Sequence, residues 1–359
     1  MKMMLCGLLA AIAAASAGAQ APAPTANAPF RADGTTGGIS MNRIAEGVYQ
    51  FTASDDGYVE DTNSTAIVGR NGVLIFDTNT RPSTARAVFA MLRTVTDKPV
   101  RWIVNSHWHP DHWSGNEVYA EAFPGVEIIA TEETANYMRN VGHAWPPVLA
   151  GRLARMRAEA PAADEAGRAG QQAQIARLAS LVEELSRVRR TYPTRTYRGT
   201  TVLNLGGREV RLTEITGDAS HSTMAFLPAA RLLLTGDALV APVTWTQQGY
   251  RISPWIESLH AMTALRPQLI VPGHGPLMHD LSYLNLVLAY MESARAQVRA
   301  ALAAGAVTLD EVAARVDLAG FRARFTGGNA DRAEAFDAYA PSLVRKLYLE
   351  QRDGMESRR

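Results

Sequence analysis

The stretch Val104–Gly115, with the sequence V-N-S-H-W-H-P-D-H-W-S-G, decides how the rest of the chain is interpreted. It continues the apolar run Val100–Val104, which is typical of a buried strand that ends in a loop. Three histidines and one aspartate fall within the six residues 107–112. Imidazole and carboxylate groups at this density are hard to explain as structural residues, so the stretch predicts a metal site.

The spacing of these side chains also predicts that they converge. His107 and His109 are two residues apart, so both imidazoles point to one side of an extended segment. Pro110 then turns the chain and brings Asp111 and His112 back toward the same point. This geometry suits a pair of metal ions.

The His-x-His-x-Asp-His pattern at the end of a strand resembles the signature of the metallo-β-lactamase superfamily of metallohydrolases. Matching pieces follow in the order found in that family: a loop with Asp218 and His221, then Leu233–Asp237 (L-L-T-G-D), then Val271–Pro276 (V-P-G-H-G-P). The resemblance implies an α/β fold, an αββα metallo-β-lactamase sandwich, with a helical insertion and a C-terminal helical extension in this chain.

The resemblance also implies a set of ligands. His107 and His109 would contribute to one metal site, and the other would be held by Asp111, His112 and His274. Asp237 would bridge the two ions, and Asp111 would also orient the attacking hydroxide. Because all donors are nitrogen or oxygen, zinc is the expected metal, one or two ions per chain, with iron and manganese as alternatives.

Two further positions are interpreted through the resemblance. Asp77 is similar to a carboxylate that holds a ligand histidine, although it could equally cap the following helix. The remaining ligand of the first metal site is left open, because the chain departs from the usual Gly-His-Thr there. Counting back ten residues from Pro228 gives Asp218, whereas the chemistry of the usual ligand favours His221.

The chain divides into five segments. Residues 1–19 are typical of a signal peptide, with Lys2, a short apolar stretch and the small residues Ala17-Gly18-Ala19, and indicate a periplasmic or secreted protein. Residues 20–38 are expected to be a flexible linker, and residues 39–280 the metal-binding domain. A helical insertion is expected at about 137–190 and a helical extension over 281–359.

Three features of the sequence each allow more than one interpretation. A helical stripe in the insertion predicts either a packed cover or a substrate lid or dimer contact; it consists of Ile175, Leu178, Val182 and Leu185. A basic run predicts either a solvated surface or a contact with an anionic substrate; it consists of Arg187, Arg189, Arg190, Arg195 and Arg198. The polar loop 53–61, with Tyr58, is either a solvent-exposed hairpin loop or a segment that overhangs the site.

Composition limits the function. Apolar residues make up 47% of the chain, enough for a large core, and a net charge of +1 gives no general attraction to nucleic acid. The sole cysteine, Cys6, lies in the signal segment, and no apolar run is long enough to span a membrane. A small-molecule substrate is therefore expected.

The expected activity is hydrolysis, in which a metal-bound hydroxide attacks an ester, lactone, thioester or amide carbonyl. An aspartate at position 237 is similar to the glyoxalase II and lactonase branches of the family, whereas the cysteine-bearing β-lactamases have a thiolate at that position. β-Lactam cleavage is the first alternative. An iron sulfur dioxygenase and a non-catalytic metal-binding protein are the others.

Overall fold

The computed structural model describes residues 30–31, 38–53, 62–142, 145–159, 165–246 and 251–356. The signal segment and the loop with Tyr58 lie outside these residues, apart from Ala53 at the loop's edge. The described chain forms two sheets and ten helices, and it divides into two compact units, one ending at Leu212 and the other beginning at Thr213.

One sheet has eight strands that lie side by side in chain order. Its first strands form an antiparallel meander and its last four are parallel, with helices in the crossovers. The strands are β1 (Phe30–Arg31), β2 (Gly38–Ala45), β3 (Val48–Ala53), β4 (Ser64–Val68), β5 (Val73–Phe76), β6 (Val100–Val104), β7 (Glu127–Thr131) and β8 (Arg195–Tyr197).

Phe30 and Arg31 lie within the segment expected to be a linker. These residues form β1, which pairs antiparallel with β2, Phe30 opposite Ile39 and Arg31 opposite Gly38. Pairing with the next strand satisfies backbone groups that an extended linker would leave to water.

The helices of the first unit form the connections between the parallel strands and the expected insertion. They are α1 (Pro82–Leu92), α2 (Asn116–Ala122), α3 (Glu132–Asn140), α4 (Trp145–Glu159) and α5 (Glu165–Ser186). Leu178 and Leu185 of the apolar stripe are buried on α5. The Glu184 carboxylate accepts hydrogen bonds from the backbone N–H and hydroxyl of Ser83, at 2.7 and 3.0 Å. These contacts favour a packed cover for α5.

A second sheet has five strands in the order β13-β12-β11-β10-β9. They are β9 (Thr200–Asn204), β10 (Glu209–Ile215), β11 (Ser222–Leu227), β12 (Leu232–Leu234) and β13 (Leu269–Val271). β12 and β13 are parallel, so their carboxyl ends lie at the same edge of the sheet.

The second unit, which begins at Thr213, contains five helices: α6 (Ile252–Ala264), α7 (Ser282–Ala303), α8 (Leu309–Ala313), α9 (Ala319–Thr326) and α10 (Ala330–Glu356). They share one hydrophobic core with the strands, in which Leu233 and Ile270 pack with Trp255, Tyr290 and Leu343. Thr308 and Glu311 form a capping box at the start of α8. Among the described helices, none is long and apolar enough to cross a membrane.

Candidate metal centre

The histidine-rich loop has a defined conformation because buried amides hold it. It leaves β6 at Val104, and Pro110–His112 form a short 3-10 helix, as the proline predicts. The Asn105 side-chain amide donates to the His112 carbonyl at 3.1 Å and to the Asn116 side-chain oxygen, also at 3.1 Å. These buried hydrogen bonds therefore fix the loop that carries the imidazoles.

His107 and His109 converge as predicted. His107 Nε2 lies 2.8 Å from His109 Nδ1, and the residues are 0% and 6% exposed. The His112 ring is also close, its centroid 4.1 Å from that of His107. Three imidazoles packed this tightly are most stable when they are neutral and share a cation.

His112 is held by Asp77, the carboxylate interpreted as its orienting partner. His112 Nδ1 lies 2.8 Å from Asp77 Oδ2, and Asp77 Oδ1 accepts a 2.7 Å hydrogen bond from the Ser106 backbone N–H. Burial raises the pKa of the Asp77 carboxyl, while His112 acts to lower it. An imidazole that donates Nδ1–H to a carboxylate presents Nε2 as the electron-pair donor.

Asp111 lies on that side of the His112 ring. Its Oδ2 is 3.1 Å from His112 Nε2, and the residue is 6% exposed. Asp111 and His112 thus form one half of a candidate metal site in the first unit, beside the pair His107 and His109. Asp77 does not cap the next helix, which begins after Arg81.

Sequence reasoning missed Thr62. Its hydroxyl lies 3.2 Å from His112 Nδ1, and the side-chain amide of Asn79 donates to its carbonyl at 2.7 Å. A threonine about 50 residues from a motif carries no sequence signal, so only the fold reveals this contact.

In the second unit, the Thr-Gly-Asp and Pro-Gly-His segments meet at the carboxyl ends of β12 and β13. The Gly273 N–H donates to the Gly236 carbonyl at 2.9 Å, and His274 Nε2 lies 3.5 Å from Asp237 Oδ1. A Cβ added at Gly273 would lie 1.9 Å from Asp237 Oδ1. Glycine is therefore required at this position for the carboxylate to reach its place.

The structure separates the two candidates for the remaining ligand. Asp218 is 2% exposed, and one of its oxygens lies within 4.8 Å of an Asp237 oxygen. The His221 side chain is 45% exposed and its Nδ1 lies 2.6 Å from a Glu214 oxygen. Among the described residues, His221 belongs to neither candidate metal group, so the geometry favours Asp218.

His274 is positioned by the loop after Asp237. Its carbonyl accepts a hydrogen bond from the Ala241 N–H at 3.1 Å, and the Trp245 ring packs on its imidazole with 4.7 Å between centroids. Trp245 is a second neighbour of the site that no motif indicated.

The basic run forms surface ion pairs. Arg195 pairs with Glu127 at 3.1 Å, and Arg198 with Glu132 at 2.6 Å, all on exposed side chains. This arrangement favours a solvated surface over an anion site for these arginines.

Comparison with known proteins agrees with the site. The family model described as the metallo-β-lactamase superfamily matches residues 57–274. The chain belongs to the metallo-β-lactamase superfamily. A linear primary-alkylsulfatase from Pseudomonas sp. is 24% identical over 214 residues, which are 57% of this chain and 39% of that protein. The chain therefore spans about two-fifths of the length of this relative.

Two solved structures show the shared fold. A metallo-β-lactamase from Pontibacter korlensis has a TM-score of 0.51 at 18% identity and covers 70% of this chain and 97% of its own. A stereoselective inverting sec-alkylsulfatase from Pseudomonas sp. has a TM-score of 0.56 at 19% identity and covers 87% of this chain and 50% of its own. The predicted fold class, a metallo-β-lactamase sandwich with C-terminal helices, is confirmed.

The chain thus belongs to a superfamily of metallohydrolases. Its buried imidazole and carboxylate clusters have the donor chemistry of divalent metal sites, and in the superfamily they imply divalent metal ions. Buried carboxylates such as Asp218 and Asp237 would be costly without a compensating cation.

Proposed function

We propose that the protein is a zinc-dependent hydrolase that cleaves an ester, lactone, thioester or amide bond of a small molecule. The observation that carries the proposal is the burial of three imidazoles and Asp111 in one loop, with Asp77 orienting one of the imidazoles. Such a cluster costs stability unless it binds a cation, and nitrogen and oxygen donors suit zinc.

Both units supply proposed metal ligands. We assign His107, His109, Asp111 and His112 as metal ligands of the first unit, and Asp218, Asp237 and His274 as metal ligands of the second. Asp237 has two oxygens, and both can bind metal. His221 is left out of the assignment because its imidazole is bound to Glu214.

Residues at and around the metal ligands have separate proposed roles in hydrolysis. Bound divalent ions would lower the pKa of water toward about 7 and polarise the scissile bond. Asp111 would orient the attacking water and accept its proton. Asp77 keeps the His112 proton on Nδ1, and Gly273 lets Asp237 approach. Trp245, packed on His274, limits the access of bulk water to that imidazole.

A second candidate is hydrolysis of a sulfate ester. It is favoured by the similarity to a linear primary-alkylsulfatase over 57% of this chain. β-Lactam hydrolysis is a further alternative, as is a mononuclear iron sulfur dioxygenase, which would carry iron in place of zinc. A non-catalytic metal-binding protein would hold metal and turn over none of these substrates.

The test combines metal analysis with a substrate panel. The purified protein is assayed for zinc, iron and manganese and then with carboxylic esters, lactones, thioesters, β-lactams and alkyl sulfates. Zinc with turnover of a carbonyl substrate supports the proposal. Turnover of alkyl sulfates alone selects the second candidate, and bound iron with thiol oxidation contradicts hydrolysis.

A further inference from the structure

The C-terminal helix α10 contacts the loop that follows Asp237, one of the proposed metal ligands. Ser342 Oγ donates to the Thr246 carbonyl at 3.1 Å, and the Lys346 ammonium donates to the same oxygen. One turn further along, Glu350 accepts hydrogen bonds from the N–H of Ser253, at 3.1 Å, and from its hydroxyl, at 2.7 Å. Residues four apart share a helix face, so this face of α10 is directed at the loop.

Lys346 is unusual on this face because its charge is partly removed from water. Burial lowers the pKa of Lys346 to about 8, while the nearby carboxylates of Asp218 and Glu350 act to raise it. The Glu350 carboxylate accepts hydrogen bonds from the backbone N–H groups of Ile252 and Ser253, at the start of α6. Asp218 is one of the proposed metal ligands, so the charge of a proposed ligand acts on the Lys346 ammonium.

The loop with Trp245 and Thr246 also connects the Lys346 ammonium to the proposed site. Thr246, whose carbonyl binds Lys346, directly follows Trp245, and the Trp245 ring packs on the imidazole of His274 at 4.7 Å. Thr246 and Trp245 of this loop therefore connect Lys346 to His274, a proposed ligand of the second unit.

The hydrogen bond to the Thr246 carbonyl does not by itself require a charged group here. The Thr246 carbonyl already accepts from Ser342, so a neutral side chain at 346 would leave it satisfied. An ammonium has three N–H donors, and among the described residues Lys346 uses one, on Thr246. Two donors remain for a ligand, and a partly desolvated cation binds an anion more strongly than an exposed one.

We propose that Lys346 is a specificity-determining residue whose ammonium binds an oxyanion group of the substrate, either a sulfate or a carboxylate, beside the metal centre. This inference rests on the proposed function, and it narrows the substrate class to anionic esters. The C-terminal helix thus supplies a binding group to the site as well as part of the core.

The experiment measures anion binding directly, so that it does not depend on turnover. Inorganic sulfate and succinate are titrated by calorimetry into the metal-loaded full chain and its variants Lys346→Met, Lys346→Arg and Arg345→Met. Arg345 is the exposed neighbour on the same helix, so its variant removes the same charge from an adjacent position. Metal content and thermal unfolding of each variant are measured in parallel.

We expect Lys346→Met to weaken binding of at least one anion by about tenfold or more, the loss of one charge-assisted hydrogen bond. Lys346→Arg should retain most of the affinity, Arg345→Met should bind as the unaltered protein does, and all should keep their metal. The anion that responds identifies sulfate or carboxylate as the recognised group.

Three results would overturn the inference: no anion binding by the unaltered protein, equal affinity in Lys346→Met, or an equal loss in Arg345→Met. Loss of metal in Lys346→Met would also overturn it, because Lys346 would then only balance the charge of Asp218. If anions bind as expected but no ester is cleaved, the proposed function fails and the binding site stands.

Discussion

Replacing Asp77 by asparagine exchanges one oxygen of a buried carboxylate for an NH2 group and leaves the shape of the side chain unaltered. In the native protein the two oxygens accept from two donors, the Ser106 N–H at 2.7 Å and His112 Nδ1 at 2.8 Å. An asparagine has one oxygen, so one donor must face the NH2 group. If that donor is Ser106, a buried N–H loses its acceptor; if it is His112, the ring proton moves to Nε2 and blocks the metal.

The size of the effect follows from these contacts. An unsatisfied buried donor costs about 1–3 kcal/mol, so the metal-free variant should lose that much stability. Loss of the group that orients a ligand histidine typically weakens metal binding or activity by about 10- to 100-fold. The hydroxyls of Thr62 and Ser106, at 3.2 and 3.3 Å from His112 Nδ1, would keep the ring in place and limit the loss.

The assay is a competition titration of zinc against a chromophoric chelator, with thermal unfolding of the metal-free protein measured in parallel. Asp97→Asn, at an exposed aspartate of the same unit, is the matched control and should change neither quantity. Native zinc affinity in Asp77→Asn, with native stability, would refute the role assigned to Asp77.

Four further substitutions test the ligand assignment. Asp218→Ala should lose one equivalent of metal in a titration and His221→Ala should lose none; the opposite pattern would show that His221 is the ligand. Gly273→Ala should displace the Asp237 carboxylate, because the added methyl group would lie 1.9 Å from its Oδ1, and metal stoichiometry should fall; full stoichiometry would contradict the close approach. Asp111→Ala should abolish turnover, and near-normal kcat would exclude Asp111 from both metal binding and proton transfer.

Much of the site could be predicted from the sequence because its ligands lie in short motifs at strand ends. The loop from His107 to His112 carries its own geometry, set by the period of a strand and one proline. Asp237 and His274 each follow an apolar strand, and β12 and β13 turn out to be parallel neighbours. Local patterns suffice when the chemistry is local.

The rest required the fold. Asp218 and His221 differ by three residues, and only the backbone conformation shows which side chain is buried; His221 has a φ of 60° and faces outward to Glu214. Thr62 contacts His112 and Lys346 contacts Thr246, in both cases across a long stretch of sequence, and neither residue belongs to a motif. The strand at Phe30 and Arg31 was missed because two residues give no alternation to detect.

The most direct test of the central claim is metal-dependent turnover on one substrate chosen from the panel. The protein is stripped with a chelator, its rate is measured, and zinc is added back in steps while bound metal is counted. The account predicts no turnover without metal and recovery of the full rate by one or two equivalents of zinc. Full turnover by the metal-free protein, or zinc binding at His107, His109, Asp111 and His112 with no turnover on any panel substrate, would contradict it.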